Sequence, residues 1–325
     1  MKKKDPWFRN QLIRGGIYKA IYEAMEAGPE VYIMGEGSHM KVHFDARYIE
    51  EKFPHRVITL PISEDANSNF AVGLSLAGIT PIVDVISSDF LYRTMDAICN
   101  TMAKAAAVGE ARTMIVRAEF LTGGPTSGQR IESLFAHIPG LHVAIPSNPR
   151  DAYFMMARAL DRKGVTVFFE DRMIEDASMP EKYKALPDRH DFHPAVMDPR
   201  RTARVVKGGS KNVTVVSYAL PCRIAEDVLA NEDCDIIDLR WISPLDVQTV
   251  AESVVRTRKL LVIEPDTTFL GIGAELCAQI SEIAYDVRVK RLGAPHATIP
   301  ASRELHDQIM PSAETIYKAF KEMSQ

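Results

Sequence analysis

The feature that most constrains the fold is an alternation of short β-branched runs with longer segments of helical periodicity. The predicted strands of the first half are 31–34, 81–85, 113–116 and 165–169. Segments with apolar residues at i, i+3 and i+4, such as 90–107 and 152–160, lie between them. Because strands this continuously apolar need cover on both faces, the pattern predicts a parallel sheet flanked by helices.

A polar, proline-bearing region between 175 and 209 interrupts this rhythm. The alternation then resumes with predicted strands at 213–218, 235–239, 260–263 and 287–289 and a final helix at 313–323. A chain of 325 residues is long enough for two cores. We therefore predict two successive doubly wound α/β domains: a first domain at 1–185, a linker at 186–201 and a smaller domain at 202–325.

Composition excludes several classes of protein. The formal net charge is −4, so no overall field attracts nucleic acid or an anionic membrane. No run of eighteen apolar residues occurs, and no apolar signal core follows the basic start of the sequence. The four cysteines are widely spaced, which is typical of a reducing compartment rather than a disulfide scaffold. We predict a cytoplasmic protein with no nucleic-acid or membrane partner.

Glu64 is the first candidate functional residue. It lies where a short predicted strand at 56–59 gives way to a helix. In open α/β sheets, ligands bind beyond the carboxyl ends of the strands, and Glu64 falls at such an end. Acids in a first helical turn also complement the helix dipole, and on position alone this structural role is the more common one.

An ordered series of motifs indicates a family. The motifs are Gly35-Glu36, 60–64 (LPISE), 89–90 (DF), 96–100 (DAICN), 136–141 (AHIPGL), 237–246 (IDLRWISPLD), 262–264 (VIE) and 271–275 (GIGAE). Together they resemble the beta subunit of the thiamine-dependent 2-oxo acid dehydrogenases, whose fold is shared with the second half of transketolases. The resemblance covers nearly the whole chain. It implies a thiamine-diphosphate pyrimidine-binding domain followed by a transketolase C-terminal-like domain.

The resemblance also implies roles for residues of the first domain. Glu64 matches the catalytic carboxylate that hydrogen-bonds the pyrimidine ring of thiamine diphosphate, where a carboxyl group can share a proton. Glu36 matches an acid proposed to line an acidic path between paired active sites, although a solvated acid is an equal alternative. Phe90 matches an aromatic wall of the pyrimidine pocket, with ordinary core packing as its alternative, and Ile62 is placed in the same pocket. Ser87 replaces a stacking aromatic residue, a contact usually worth ~1 kcal/mol.

A loop at 123–129 departs from the family pattern. Relatives carry a histidine there, and counting back without gaps from 137–140 places Ser127 at that position. Matching 124–126 to the Gly-Pro-Thr-His of transketolase gives the same result. A serine hydroxyl does not titrate near neutrality as a histidine does. Ser127 and Gln129 are the predicted residues of this active-site loop, and the change implies another substrate or acceptor, or a weakened site.

The predicted site is incomplete in this chain. The family holds the diphosphate and its metal with a Gly-Asp-Gly motif in the partner domain, and this sequence contains no such motif. The resemblance thus implies thiamine diphosphate and Mg²⁺ as cofactors, with the metal bound mainly by an alpha subunit and no metal site here. The other implied partners are a second beta chain and, in a dehydrogenase complex, a lipoyl acyltransferase. Arg93 and Arg117 are candidates to face an anionic substrate, although a structural salt bridge is the commoner role.

The predicted function is that of a beta subunit of a thiamine-diphosphate enzyme, active only with an alpha partner. It cleaves a carbon–carbon bond next to a carbonyl, by 2-oxo acid decarboxylation with acyl or aldehyde transfer. Two alternatives remain. The Gly-Pro-Thr at 124–126 favours the C-terminal half of a split transketolase acting on ketoses. The replaced histidine and aromatic residue favour a catalytically weakened assembly subunit, against which the retention of Glu64 argues.

Overall fold

The computed structural model describes residues 13–36, 47–109, 112–124, 127–174, 183 and 201–325. By their internal contacts these residues divide into two units. The first contains those within Met1–Leu121 and Leu134–His193, and the second those within Thr122–Ser133 and Pro194–Gln325. The segment Thr122–Ser133, called the loop Thr122–Ser133 below although its last two residues begin the helix Glu132–Ala136, therefore belongs to the second unit. The predicted linker at 186–201 lies outside the described residues except for Arg201, and the predicted domain boundaries stay a prediction.

The first unit contains a parallel sheet. Its strands are β1 (Val31–Gly35), β2 (Val57–Thr59), β3 (Thr80–Ser87), β4 (Thr113–Phe120), β5 (Leu141–Ala144) and β6 (Gly164–Asp171). They lie in the order β5-β6-β4-β3-β1-β2, and each neighbouring pair is parallel. Every residue of β4 is buried, as expected for a strand covered on both faces. The predicted α/β fold class is confirmed for this half of the chain.

Helices surround this sheet. They are α1 (Ile13–Ala27), α2 (Arg47–Lys52), α3 (Glu64–Leu76), α4 (Ala103–Ala107), α5 (Glu132–Ala136) and α6 (Pro149–Asp161). Helix α1 packs against α6, and a Cβ atom at Gly16 would collide with the carbonyl oxygen of Pro149. A glycine is therefore required for the close approach of these two helices.

The single helix predicted at 90–107 differs in the structure. The chain forms a 3₁₀ helix at Ser88–Thr94, a π-helix at Ala97–Met102 and then the short α4. The apolar spacing predicted a helical segment correctly but did not distinguish among helix types. Short π-helical segments occur often near functional sites, and this one follows the strand end described below.

The second unit contains a mixed sheet. Its strands are β7 (Arg204–Lys207), β8 (Val213–Ser217), β9 (Cys234–Asp238), β11 (Lys259–Thr267) and β12 (Arg288–Ala294), and the short strand β10 (Trp241–Ser243) is not part of this sheet. Its helices are α7 (Ala219–Val228), α8 (Val247–Thr257), α9 (Ile272–Ile283), α10 (Arg303–Ile309) and α11 (Ala313–Ser324). The sheet order is β12-β11-β8-β9-β7, in which β7 runs antiparallel to β9 and the other pairs are parallel. The fold class is confirmed here as well.

The core of the second unit lies where α7 and α11 cover the sheet. Val215 of β8, Ile263 of β11 and Phe320 of α11 belong to one buried cluster. Strand β7 was not predicted, because its four residues follow a proline-rich stretch and only one edge of it is paired. Within the described part of the chain, no helix combines the length and apolar character that crossing a membrane requires.

Candidate active site

Two glutamates meet at one edge of the first sheet. Strand β1 lies between β2 and β3, and all three run parallel, so their carboxyl ends share that edge. Glu36 directly follows β1, and Glu64 begins α3 after the turn that leaves β2. A carboxylate oxygen of Glu36 accepts hydrogen bonds from the Ser63 backbone N–H at 2.9 Å and from the Asn67 side-chain amide at 3.4 Å. Glu36 is therefore joined to the turn that positions Glu64.

The two carboxyl groups affect each other electrostatically. Burial raises the pKa of Glu36, and the neighbouring Glu64 carboxylate raises it further. The hydrogen bond from Ser63 and the charge of Arg93 lower the pKa of Glu36 in turn. Glu64 itself is only 8% exposed. The raised pKa favours the protonated form of Glu36, which places a proton donor next to Glu64 at this edge.

Exposed apolar side chains lie on α3 and on the segments next to it. Ile62, two residues before Glu64, is 84% exposed, and Phe90, just after β3, is 37% exposed. The 3₁₀ helix that carries Phe90 packs against α3, where Phe70 is also exposed. An exposure of 37% argues against ordinary core packing for Phe90. A carboxyl group beside accessible apolar surface is suited to an aromatic ring that also carries hydrogen-bonding atoms.

Ser87 is buried, whereas a residue that stacks on a cofactor ring has to be accessible. The pairing of β3 with β4 shifts register between Asp84 and Ser87, and Ile86 adopts a positive φ of 66°. A positive φ is rare for a β-branched residue. Register shifts of this kind are β-bulges, which often change the direction of a side chain near a functional site. Ser87 is 2% exposed, and its hydroxyl donates to Asp89 at 3.1 Å. Its predicted cofactor contact stays a prediction.

Arg117 has a structural role. Its guanidinium forms ion pairs with Asp84 at 3.1 Å and with Glu170, and its side chain is 1% exposed. It also lies 5.1 Å from the ring centre of Tyr18. Removing one partner from such a buried cluster leaves an uncompensated charge, so Arg117 is held in the core. Of the two arginines weighed from the sequence, Arg93 is the one whose charge lowers the pKa of Glu36.

The hydroxyl of Ser127 stabilises the turn of its own loop. It accepts the Gly124 backbone N–H at 2.9 Å, and the Ser127 N–H donates to the Gly124 carbonyl at 3.3 Å. A Cβ atom at Gly124 would collide with this hydroxyl, and Gly128 follows with a φ of +98°. Pro125 and Thr126, which carry the transketolase-like match, lie outside the described residues.

Gln129 lines a cavity of about 380 Å³ in the second unit. The other lining residues are Arg130, Asp266, Thr267 and 295–299. Ser127 and Gln129 thus belong by their contacts to the second unit, whereas Glu36, Ile62, Glu64, Ser87 and Phe90 belong to the first. Within each group the predicted residues lie on one loop or at one sheet edge.

The sequence interpretation missed Asn67. Its amide bridges the carboxylate of Glu36 and the carbonyl oxygen of Pro61, the latter at 3.1 Å. The available signal was its position one helical turn after Glu64, on the same helix face. Among the residues described, no three His, Cys, Asp or Glu side chains form a group that could hold a metal ion.

Domain comparisons define the class of protein. Residues 11–174 match the pyrimidine-binding domain of transketolase, and residues 201–316 match the transketolase C-terminal domain. The chain therefore belongs to the transketolase family. A solved split-gene transketolase, described as an inactive beta4 tetramer, matches with a TM-score of 0.79 and 19% identity. The match covers 97% of this chain and 99% of that chain, and at this identity it shows the fold alone.

Full-length relatives narrow the comparison. The chain is 28% identical to the beta subunit of the pyruvate dehydrogenase E1 component of Rickettsia felis, over 96% of this chain and 97% of that protein. It is 29% identical to the beta subunit of acetoin:2,6-dichlorophenolindophenol oxidoreductase of Cupriavidus necator, over 96% of both. The human mitochondrial pyruvate dehydrogenase E1 beta subunit is 27% identical. The predicted resemblance to beta subunits of 2-oxo acid dehydrogenases is confirmed.

Proposed function

We propose that this chain is the beta subunit of a thiamine-diphosphate enzyme that cleaves a carbon–carbon bond next to a carbonyl group. The observation that carries the proposal is the Glu36–Glu64 pair, which lies beside exposed apolar side chains at the carboxyl ends of neighbouring strands. Relatives named for pyruvate and for acetoin support it, because both compounds have such a bond. The reaction class is 2-oxo acid decarboxylation with acyl or aldehyde transfer.

The residues of the first sheet edge fit the pyrimidine half of thiamine diphosphate. A nearly buried carboxyl group at Glu64 offers a partner for a ring nitrogen, and Ile62 and Phe90 offer apolar contact to the ring faces. Thiamine diphosphate supplies, when bound, a nucleophilic carbon that attacks a carbonyl group and accepts the electrons of the broken bond. The protein supplies placement and proton control.

Proton control is assigned to Glu64. Its carboxyl group holds a proton at the pyrimidine nitrogen and takes it back, which requires that the group be buried and close to a second charge. Glu36 meets the second condition, because its carboxylate contacts the turn before Glu64. Asn67 positions Glu36 through its side-chain amide.

The other half of the site is assigned to an alpha subunit. The sequence lacks Gly-Asp-Gly, so the diphosphate and Mg²⁺ are to be held mainly by that partner. Ile62, Phe70, Phe90 and Tyr92 expose apolar surface around Glu64, which suits burial against another chain. A second beta chain completes the assembly, and a lipoyl acyltransferase is the acceptor in the dehydrogenase version. A cytoplasmic location is proposed with these partners.

Substrate profiling separates the dehydrogenase from the split-transketolase alternative. The complex with the alpha subunit is supplied with pyruvate, branched 2-oxo acids and ketose phosphates. Turnover of a 2-oxo acid supports the favoured function, whereas turnover of ketose phosphates alone supports the transketolase that the Gly-Pro-Thr at 124–126 favours. No turnover with any class, despite cofactor binding, identifies a weakened assembly subunit.

Calorimetry of thiamine diphosphate binding tests whether the cofactor site is shared between this chain and an alpha subunit. Because one carboxyl group and apolar contacts form only part of a cofactor pocket, the chain alone is expected to show no tight, Mg²⁺-dependent binding of thiamine diphosphate. Addition of the alpha subunit is expected to create binding and turnover together. Submicromolar binding by the chain alone contradicts the shared site and requires a diphosphate site in this chain.

A further inference from the structure

The carboxyl ends of β8 and β11 form the switch point of the second sheet. From β8 the chain moves to β9 on one side, and it later returns to β11 on the other side of β8. In doubly wound sheets, a crevice opens between two such strands and receives the ligand. Ser217, the last residue of β8, donates its hydroxyl to the Ile263 carbonyl of β11 at 2.7 Å, which joins the two strands at this end.

The end of the loop Thr122–Ser133 contacts the chain at these strand ends. The Ser133 hydroxyl donates to the carboxylate of Asp266, next to the last residue of β11, at 2.9 Å. The hydroxyl of Tyr218, which directly follows β8, donates to the carboxylate of Glu132 at 3.4 Å. Glu132 is 0% exposed and Tyr218 is 1% exposed. Buried polar groups with partners of this kind fix one arrangement of a segment.

Asp266 also lies on the wall of the cavity that Gln129 lines. Its second carboxylate oxygen accepts the Thr267 backbone N–H at 2.6 Å. Burial raises the pKa of Asp266, while the hydrogen bonds from Thr267 and Ser133 and the charge of Arg130 lower it. One side chain therefore holds the end of the loop and borders the space next to Gln129.

We propose that Asp266 is a positioning residue: through Ser133 it fixes the loop that carries Ser127 and Gln129, and the second domain acts in the reaction by holding this loop. In this arrangement a segment of the chain itself contacts the strand ends at which other doubly wound domains bind a ligand. Tyr218 provides a second anchor through Glu132. The consequence for turnover rests on the proposed function, whereas the consequence for the loop does not.

The matched variants are Asp266→Ala and Asp266→Asn. Alanine removes both acceptor oxygens. Asparagine keeps an acceptor for the Thr267 N–H and presents an amide to the Ser133 hydroxyl, which can accept as well as donate. Both variants remove the charge, so a difference between them reports the side-chain hydrogen bonds and the volume that asparagine keeps, and Ser133→Ala isolates the hydrogen bond to Ser133. Ser133→Ala removes only the hydroxyl and serves if Asp266→Ala does not fold.

Hydrogen exchange on the free chain tests the anchor without any activity. We expect backbone amides of 127–133 to exchange about tenfold faster in Asp266→Ala and in Ser133→Ala, and within about threefold of wild type in Asp266→Asn. Exchange in β4 serves as the internal control and is expected to stay unchanged. Unchanged exchange of 127–133 in folded Ser133→Ala overturns the proposal.

Kinetics of the complex with the alpha subunit test the consequence. Asp266→Ala is expected to lower kcat about tenfold while the affinity for thiamine diphosphate changes less than about threefold, and Asp266→Asn is expected to restore kcat. A parallel loss of kcat and cofactor affinity that asparagine does not restore indicates general destabilisation and overturns the positioning role. If the wild-type complex has no activity but the exchange pattern holds, the proposed function fails and the anchor stands.

Discussion

The two sheets of this protein use the carboxyl ends of their strands in opposite ways. In the first sheet, Glu36 and Glu64 lie beside exposed apolar side chains such as Ile62. In the second sheet, Tyr218 and Asp266 are buried and contact residues of the chain's own loop. The same architectural position thus lies beside exposed apolar surface in one unit and anchors a segment of the chain in the other.

The difference shows that topology alone does not make a binding site. Both sheets place strand ends where ligands bind in doubly wound folds. What distinguishes the first is the exposed apolar surface beside its carboxyl pair, a combination that suits a ligand with an apolar ring and hydrogen-bond donors. In the second, each polar group named above already has a protein partner, which is typical of a structural role.

The largest expected effect comes from Glu64→Gln. The change is isosteric, but an amide does not release and recover a proton. We expect turnover of the complex with the alpha subunit to fall about a thousandfold, or ~4 kcal/mol in activation free energy, with little change in Tm. Turnover is measured at saturating cofactor, and circular dichroism checks the fold. Turnover close to that of wild type removes Glu64 from the mechanism and with it the contrast between the two sheets.

A smaller effect is expected from Ser127→Ala. If this hydroxyl only stabilises the turn at Gly124, its loss costs less than about tenfold in turnover, or ~1.4 kcal/mol. Ser127→His is the matched probe, because it restores the residue that relatives carry and tests transfer to a standard acceptor. A collapse of turnover by several orders of magnitude in Ser127→Ala, with the fold intact, makes the serine a direct participant.

The smallest effect is the pH dependence of stability from Glu36. Its pKa is raised in the folded protein, so folding favours the protonated form. Wild type therefore loses stability as the pH rises from the ordinary value of 4.5 towards the raised folded-state value. Glu36→Gln keeps an acceptor for Ser63 and removes this loss. We expect the unfolding free energy of Glu36→Gln to increase relative to that of wild type as the pH rises through this range. The difference should be less than about 1 kcal/mol, because Glu36 is partly solvated.

Urea titrations at several pH values measure this difference. Glu64→Gln provides the second arm, because removing its charge lowers the repulsion that raises the pKa of Glu36. A pH slope that is the same in wild type and Glu36→Gln shows that the pKa of Glu36 is not raised in the folded protein. A slope that Glu64→Gln leaves unchanged shows that the two carboxyl groups do not interact. Either outcome removes the carboxyl interaction from the description of the first sheet edge.

The fold was largely predictable because periodicity records burial. Buried parallel strands need apolar residues on both faces, and β4 and β8, which are buried along their whole length, consist mostly of apolar residues. Strand β7 was not predicted, because an edge strand that is partly exposed has no continuous apolar pattern. The helix types between Ser88 and Ala107 were not predicted, because the spacing of apolar residues alone does not distinguish 3₁₀, π and α turns.

The candidate site was predictable only in part. Glu64 was found from its place between a strand and a helix together with the family resemblance, and it lies nearly buried at that point. For Arg117 the sequence does not decide between a contact with substrate and a structural salt bridge, because its partners Asp84 and Glu170 are distant in sequence. The contacts of Asp266 and Tyr218 were not predicted for the same reason, because each of these residues contacts a loop more than eighty residues away in the sequence.

The sequence by itself determined two α/β domains and the family, and it indicated Glu64 as a candidate catalytic residue, because local periodicity and ordered motifs can be read without knowledge of contacts. The tertiary structure decided which charges meet. It brought Glu36 to the turn before Glu64, enclosed Arg117 between two acids, and joined the loop of Ser127 to Asp266 through Ser133. The physical reason is that pairing and desolvation depend on distances between residues far apart in the chain, which no local pattern contains.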